Sequence, residues 1–292
     1  MYRGALIQAY YHASSGGFTE NNENVWGGSP IPYLRGVCDP GDFTTANPVR
    51  TWTLTFSGPA LTTKLDTYTG SIGTVTGFSG AVRGVSGRIE SITVVGTKDK
   101  ATISGGALRA ALGLRDTRVW IGSNRNVTGA IRRAYDSLMC APGQAAGSQR
   151  AVPGGHRQAF AKGALYRNAA NGRVIWLRGP VFTRYVQLGD ASGSLGIPVS
   201  GTRTVTLPTG CRKYQCSITR FAGGVIYFKG ATGVGIHELH GALYRYFRSL
   251  RGVRSRLGFP TSDVKLGPGG RTSATFEGGT ITCNSKGVCS RS

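Results

Sequence analysis

The chain of 292 residues lacks any run of 18 apolar residues, and it contains few acidic and histidine side chains, 13 Asp plus Glu and four His. The missing apolar run argues against a transmembrane helix. No Cys-x-x-Cys pair occurs, which argues against a structural zinc site, and no Gly-x-Ser-x-Gly segment occurs, which argues against a hydrolase nucleophile elbow. The chain begins without an apolar stretch or a small-residue cleavage site, so we expect a mature or truncated piece of a longer precursor.

Basic residues are abundant and unevenly distributed. Lys plus Arg number 35, for a net charge of +22, and residues 141–292 hold 21 of them with only four acidic residues. This charge attracts polyanions, and nucleic acid, anionic lipid and acidic wall polymer are the alternatives. No nucleic-acid motif occurs, so we expect no nucleic-acid partner. Arginine supplies 27 of the basic residues, which suits phosphate and carboxylate recognition, although a GC-rich genome gives the same bias.

Glycine and proline, at 46 and 12 residues, have no collagen-like period and separate many short apolar runs, which favours an α+β, β-rich fold. Six cysteines include two pairs that are close enough in sequence to cross-link a hairpin. A third pair would close a loop of about a hundred residues. We predict three disulfides, Cys38–Cys140, Cys211–Cys216 and Cys283–Cys289, and therefore expect an oxidising compartment. Zinc binding is the alternative use of the cysteines.

One polar motif stands near the start of the chain, where His12 precedes Ser14-Ser15-Gly16-Gly17. We predict a β run that ends in this turn. The two hydroxyls and the backbone N–H groups beside an imidazole can hold a sugar or polarise an acyl group. The alternative is a surface turn with a satisfied histidine.

Apolar alternation predicts further strands in the first half of the chain. Trp52, Leu54 and Phe56 would share one face of a strand over residues 50–56, and a second strand is expected over residues 85–96. A third strand over residues 101–104 should pass through a Ser-Gly cap into a short helix that ends at Gly113.

These segments, over residues 4–122, together resemble the later two-thirds of the SpoIID/LytB domain, so we expect a domain that lacks its N-terminal part. The resemblance covers Tyr-His-x-Ser-Ser-Gly-Gly-x-Thr-Glu, Trp…Pro-Tyr-Leu, Ser-Gly-Arg-Ile and Ile-Ser-Gly-x-x-Leu-Arg-x-x-Leu-Gly-Leu, with Asp116 where the family usually has Ser. It implies a peptidoglycan-directed domain over residues 1–140, either a lytic transglycosylase or an enhancer of wall amidases. The substrate-binding residues that it implies are His12, Ser14, Ser15, Gly16, Gly17, Thr19 and Arg109.

The resemblance leaves the catalytic residue unknown. The family's catalytic Glu lies upstream of the His-x-Ser-Ser-Gly-Gly segment, and we assign the acid to none of the nearby carboxylates, which are Glu20, Glu23, Asp39 and Asp42. Some members of the family bind zinc near this histidine. Because pairing with Cys140 would use up Cys38 as a second ligand, we expect no metal and no cofactor.

The second half of the chain is repetitive. After a linker over residues 141–155, Phe160-Ala-Lys-Gly-Ala-Leu-Tyr recurs from Phe221 and again from Phe276, and Leu195-Gly-Ile-Pro recurs as Leu257-Gly-Phe-Pro. We predict β-rich repeats with short helices, arranged as propeller-like blades, over about residues 160–200 and 221–263, with a partial copy at 276–292. Each Phe-x-x-Gly-x-Ile-Tyr segment should form one strand, and Gly-Phe-Pro should end the helix that follows.

These copies resemble the LGFP repeats of actinobacterial envelope proteins, which implies attachment to the cell wall. In copy two, Leu243, Phe247 and Leu250 have the spacing of a core-facing helix. The candidate wall-binding residues are Tyr166, Trp176, Tyr227, Arg245, Arg248 and Arg251. The alternative for the aromatic residues is packing in the core, and the alternative for the arginines is a solvated basic face without a defined site.

From the sequence we expect an extracellular, wall-associated protein without a membrane span. It would be the SpoIID-like portion of a lytic transglycosylase anchored by LGFP repeats, with a non-catalytic wall-binding protein or amidase enhancer as the alternative. The expected partners are peptidoglycan glycan strands and anionic wall polymers, together with a wall amidase.

Overall fold

The structure is a computed structural model that describes residues 1–44, 46–122, 125–205, 211, 216–230 and 235–292. The chain forms two units, each described here by itself. Unit one comprises Met1–Asn126 and Asp136–Gln144, and unit two comprises Val127–Tyr135 and Ala145–Ser292.

In the part of unit one that the structure describes, helices pack beside one antiparallel sheet, β1-β2-β3. Its elements in chain order are α1 (Asn22–Trp26), a 3-10 turn (Pro40–Asp42), α2 (Gly58–Thr69), β1 (Val75–Arg83), β2 (Ile89–Gly96), β3 (Lys100–Ser104) and α3 (Gly105–Leu112). The cap predicted from the sequence is confirmed: Ser104 Oγ accepts a hydrogen bond from Ala107 N, and Gly113 ends α3 in the left-handed conformation.

Two predicted strands of unit one are wrong. Residues 50–56 and the run before Ser14 do not pair with any strand of the described chain. Trp52 and Phe56 do pack on the core of unit one, while Leu54 is exposed. The alternation of apolar residues thus correctly predicted that Trp52 and Phe56 are buried in part. It did not predict the secondary structure, because a strand also needs a neighbouring backbone for its hydrogen bonds.

The described residues of unit two form three four-stranded antiparallel sheets, in the orders β4-β5-β6-β7, β11-β10-β9-β8 and β12-β13-β14-β15. The helices and strands are α4 (Gly129–Leu138, which the boundary between the units divides), β4 (Arg150–Val152), β5 (Gly155–Phe160), β6 (Gly163–Asn168), β7 (Val174–Arg178), α5 (Gly179–Gln187), β8 (Arg203–Thr204), β9 (Cys216–Arg220), β10 (Gly224–Lys229), β11 (Gly235–His240), α6 (Gly241–Ser249), β12 (Lys265–Leu266), β13 (Thr272–Phe276), β14 (Gly279–Cys283) and β15 (Cys289–Arg291). Three 3-10 turns lie at Asp190–Ser192, Gly252–Arg254 and Pro268–Gly270.

The sheets make the described chain β-rich, as predicted, and no sheet closes into a barrel within the described residues. Residues 150–152, in the stretch expected to be linker, pair with β5. Each Phe-x-x-Gly-x-Ile-Tyr segment spans a hairpin turn and not one strand. In copy two, Phe221 follows β9, residues 222–223 turn, and β10 begins at Gly224.

The Leu-Gly-x-Pro segments join each copy to the next. Pro198 and Pro260 form β-bridges with Phe221 and Phe276 of the following sheet. Gly223 N donates to Leu195 O at 2.8 Å, and a Cβ on Gly223 would lie 2.4 Å from Ser194 O. Only glycine fits this close backbone approach. The segment therefore links repeats, whereas α6 ends well before it, at Ser249.

Helix α4 repeats the pattern of α5 and α6, although no sheet of the repeat type precedes it in the described chain. Tyr135, Tyr185 and Phe247 occupy the same position of the three helices and stack on or against the phenylalanine of the next sheet. The three rings are buried, and so are the apolar residues four positions before them, which are Ile131, Val181 and Leu243. The helix predicted in copy two is confirmed, with Leu250 partly buried on the same core.

All three cysteine pairs are disulfide-bonded: Cys38–Cys140, Cys211–Cys216 and Cys283–Cys289. The first closes a segment of 102 residues within unit one. In the part of the chain that the structure describes, no helix is both long and apolar enough to cross a bilayer.

Candidate functional site

The Ser-Ser-Gly-Gly turn lies against two carboxylates that are 24 to 28 residues away in sequence. Ser14 Oγ donates to Asp42 Oδ2 at 3.1 Å. Ser15 is buried, with 2% of the residue exposed. Its Oγ lies 2.8 Å from Asp39 Oδ2 and 2.9 Å from Asp42 Oδ2. Because each hydroxyl has a single proton, both hydroxyl protons are committed to these carboxylates and neither is donated to His12.

Asp42 is the centre of this network. It also accepts from Gly17 N at 3.1 Å and from Asn47 Nδ2 at 2.7 Å. Burial alone would raise the pKa of the Asp42 carboxyl, but the hydrogen bonds from Ser15, Gly17 and Ser14 outweigh burial, and the pKa is lowered overall. Asp42 is therefore an ionised anchor for the turn.

Two arginines hold the backbone of the turn from the other side. Arg88 donates to Ser15 O at 2.9 Å and to Phe18 O at 2.8 Å, and it forms an ion pair with Asp116 at 2.9 Å. Arg118 donates to Gly16 O and, through Nε, to Ser86 O at 3.0 Å. Asp116, where the resembled family usually has Ser, thus orients Arg88 and through it the turn.

Two acidic side chains near the turn have structural roles. Glu20 accepts hydrogen bonds from Val85 N and Ser86 N at 3.1 Å and from Ser86 Oγ. Burial tends to raise the pKa of Glu20, but the hydrogen bonds from Ser86 and from Asn21 N outweigh burial and lower the pKa overall. The pKa of Glu23 is lowered as well, first by its hydrogen bond from Arg35.

Three predicted site residues stand apart from the network. His12 is exposed, and no hydrogen bond to it is present among the described residues. Thr19 pairs with Val37 through Thr19 N to Val37 O at 2.9 Å and Val37 N to Thr19 Oγ1 at 2.9 Å. Arg109 Nε donates to Leu114 O at 3.2 Å, so this side chain closes the end of α3. The structure brings Ser14 to Gly17 together, but it does not connect His12 or Arg109 to them.

Cys38 is held in a disulfide and offers no thiolate to a metal ion. Across the described ranges, no group of three or more His, Cys, Asp or Glu side chains has an arrangement suited to a metal.

The aromatic candidates of unit two are core residues. Tyr166 and Tyr227 are 0% and 5% exposed. The ring of Tyr166 packs edge-on against Tyr185, and that of Tyr227 against Phe247 and Phe259. Trp176 is half-buried and edge-on to Phe160. Tyr166 and Tyr227 therefore have no free ring face on which a sugar could stack.

The basic candidates of unit two are accessible. Arg245, Arg248 and Arg251 are all exposed. The four acidic side chains of residues 141–292 are each paired within the unit, to Arg157, Arg184, Lys229 or a histidine: Asp190, Asp263, Glu277 and Glu238. The acidic groups are thus already used, and most of the 21 basic side chains of this segment have no carboxylate to neutralise them within the described residues.

Sequence reasoning missed the partners of the turn. Asp39 and Asp42 were considered only as acids, and Arg118 was not singled out. Ser-rich turns do need a hydrogen-bond acceptor when they are buried, but the sequence carries no signal of which carboxylate supplies it. The third helix of the repeat was detectable, because Gly129, Gly179 and Gly241 each precede an apolar residue by two and an aromatic residue by six positions.

No family model matches the chain. A stretch of 63 residues, 22% of the chain, is 44% identical to the amidase enhancer of Bacillus subtilis (strain 168). The matched stretch spans 8% of the length of that protein. The chain is thus similar, over about a fifth of its length, to a protein named for the enhancement of an amidase.

Proposed function

We propose that the chain is an extracellular, cell-wall-associated protein in which unit one contacts peptidoglycan and unit two attaches to anionic wall polymers. The observation that carries the proposal is the 63-residue similarity to an amidase enhancer. The resemblance of the sequence motifs to SpoIID/LytB domains and LGFP repeats supports the same function.

Attachment by unit two is supported by its charge. Its acidic groups are paired internally, while Arg245, Arg248 and Arg251 are exposed on and just after α6. An excess of exposed guanidinium groups favours phosphate- or carboxylate-bearing polymers, and the attraction weakens with salt. Buried Tyr166 and Tyr227 have no part in this proposal.

Contact by unit one centres on the Ser14–Phe18 turn, which two carboxylates and two arginines hold rigidly. A general acid for glycan cleavage needs a raised pKa. Glu20, Glu23 and Asp42 have lowered pKa values and are ionised at neutral pH. The lowered pKa values of these groups favour binding of peptidoglycan over acid-catalysed cleavage by these side chains. Stimulation of a wall amidase would be the consequence of that binding.

A lytic transglycosylase is the second candidate, and the combined SpoIID-like motifs favour it. An assay with purified sacculi distinguishes the two candidate functions. After incubation with the protein, soluble products are analysed by mass spectrometry, and in parallel the release of stem peptides by a purified wall amidase is measured. We expect faster peptide release and no anhydro-sugar products. Anhydro-muropeptides formed by the protein alone would establish the second candidate.

Wall attachment is tested by co-sedimentation with sacculi that retain their anionic polymers. A triple variant, Arg245→Gln, Arg248→Gln and Arg251→Gln, should bind less than a matched variant with the same charge change, Arg150→Gln, Lys162→Gln and Arg173→Gln. Both sets are exposed. An equal loss of sacculus binding in the two variants would mean that the attraction is non-specific. If the unaltered protein did not sediment with sacculi, the proposal would be overturned.

A further inference from the structure

An open cavity lies between α5 and the sheet that follows it in unit two. Its volume is about 730 Å³, within the range of roughly 300–1,000 Å³ that small-molecule sites occupy. Two copies of the repeat supply its lining, which includes Pro180, Thr183, Arg184 and Gln187 of α5 together with Ile236 and Asp263 of the next copy. The cavity therefore belongs to a junction between repeats.

Arg184 and Asp263 form an ion pair in the wall of this cavity. Arg184 Nη2 donates to Asp263 Oδ2, and Arg184 Nη1 lies 3.4 Å from Gln187 Oε1. The other carboxylate oxygen, Asp263 Oδ1, accepts from Glu238 N at 3.0 Å. The pair thus has one hydrogen bond in place of the two parallel ones that arginine and carboxylate can form.

Two lining side chains have donors that the fold does not use. Arg184 Nε is buried, and it donates to no acceptor within the described residues. Leaving a buried donor without a partner is unfavourable. Gln187 is exposed, and its only hydrogen bond in the described chain is the one that Oε1 accepts. The ion pair remains partly exposed on both sides, so its charged groups are accessible from the cavity.

The corresponding positions at the junctions of α4 and α6 have no such pair. At the position of Arg184, α4 has Ala134 and α6 has Tyr246. At the position of Asp263, three residues after the proline of Leu-Gly-x-Pro, copy one has Gly201. Helix and sheet pack at those junctions through stacked aromatic rings all the same. The repeat fold therefore does not require the charged pair.

We infer that this cavity binds a neutral saccharide through Arg184, Asp263 and Gln187. A sugar hydroxyl both donates and accepts, so neighbouring hydroxyls can accept from the guanidinium or the amide and donate to the carboxylate. Because the carboxylate balances the guanidinium, the pair itself gives no preference to an anion. Pro180 and Ile236 add apolar surface against which the C–H groups of a sugar ring can pack.

The site differs in chemistry from the exposed arginines on and just after α6. Attraction of those arginines to anionic polymers weakens with salt, whereas binding of a neutral sugar is little affected by salt. Assigning the saccharide to a wall glycan rests on the proposed function. The saccharide site itself rests on the cavity and the side chains that line it.

The test titrates the full chain with chitotetraose and with cellotetraose and follows NMR chemical shifts of the protein. Both probes are neutral tetrasaccharides with the same linkage, and only chitotetraose carries acetamido groups, so their relative affinities show whether that group is recognised. We expect the affinity to change by less than about twofold when salt is raised. Arg184→Gln should weaken binding about tenfold or more, because a charged hydrogen-bond donor is removed.

Two further variants separate binding from charge and from stability. Arg173→Gln removes the same charge from an exposed side chain at the opposite end of β7 from α5, and it should leave the affinity within about twofold. Gln187→Ala should weaken binding about threefold or more, because an amide is lost from the cavity. It should not lower the melting temperature, since Gln187 is exposed.

Unchanged affinity in Arg184→Gln or in Gln187→Ala, or no binding of either tetrasaccharide to the unaltered protein, would overturn the site. Tighter binding of glycerol 3-phosphate that is lost in Arg184→Gln would overturn the neutral class of ligand. Sedimentation with sacculi reports the proposed function separately, because a protein that sediments but binds neither tetrasaccharide loses only the saccharide site. One that binds a tetrasaccharide but does not sediment loses only the wall assignment.

Discussion

Tyr185 of α5 stacks on Phe221 of the following sheet, with ring centroids 4.5 Å apart. The equivalent pair in the next copy, Phe247 and Phe276, has the same 4.5 Å separation. The repeated element is therefore a helix, a Leu-Gly-x-Pro segment and the sheet that follows. A helix of one copy is buried by the sheet of the next, so that each junction stabilises both neighbours.

Tyr185→Ala should destabilise unit two by about 3–5 kcal/mol, because it empties a fully buried ring position. Tyr185→Phe removes only the hydrogen bond from Tyr185 Oη to Gly196 O, at 2.7 Å, and should cost about 1 kcal/mol. Urea unfolding measures both. Val186→Ala on the same helix, at a side chain that is 43% exposed, is the control and should change little. Similar losses of unfolding free energy for Tyr185→Ala and Val186→Ala would contradict the stabilising role of the junction.

Arg251→Gly should stabilise the protein by about 1 kcal/mol, since Arg251 has a φ of 74°, a conformation that glycine adopts without strain. The equivalent residue of copy one is Gly189, with a φ of 93°. The same variant should bind sacculi less tightly, since a positive charge is lost.

Arg254→Gly is the matched control, because Arg254 lies in a 3-10 turn and its own φ is not positive. It removes the same charge but should lower stability by about 0.5–1 kcal/mol. Thermal unfolding and co-sedimentation are measured on both variants. A lower melting temperature for Arg251→Gly would contradict the argument.

Asp42→Asn should cost about 1–3 kcal/mol at pH 7, when the carboxylate accepts from Ser14, Ser15 and Gly17. Since the pKa of Asp42 is lowered by folding, its ionised form contributes stability above the unfolded pKa, near 4. That contribution is lost as the pH falls through the lower folded pKa. The difference between variant and parent should therefore shrink in acid. Unfolding free energies measured from pH 7 to pH 3 check this, with exposed Asp66→Asn as the control.

Replacing Cys38 and Cys140 by serine should destabilise unit one by about 4–5 kcal/mol, because this disulfide closes 102 residues. Replacing Cys283 and Cys289 should cost only about 2 kcal/mol, since that loop spans six residues. Unfolding followed by circular dichroism measures both double variants. A larger loss at the short loop would contradict the chain-entropy estimate.

Features that depend on neighbours within a few residues could be predicted from the sequence. The cap at Ser104, the end of α3 at Gly113 and the buried face of α6 follow from local hydrogen bonds and from helical spacing. The concentration of positive charge in residues 141–292 is a matter of composition and needs no structure.

Which polar groups meet across long stretches of chain could be seen only in the folded protein. Ser15 and Asp42 are 27 residues apart, and Arg118 reaches Gly16 across 102 residues. Only the folded protein shows that Tyr166 packs in the core while Arg251 faces solvent. Hydrogen bonds and ring packing depend on separations of a few ångströms between groups that local spacing does not bring together, and folding of the whole unit sets those separations.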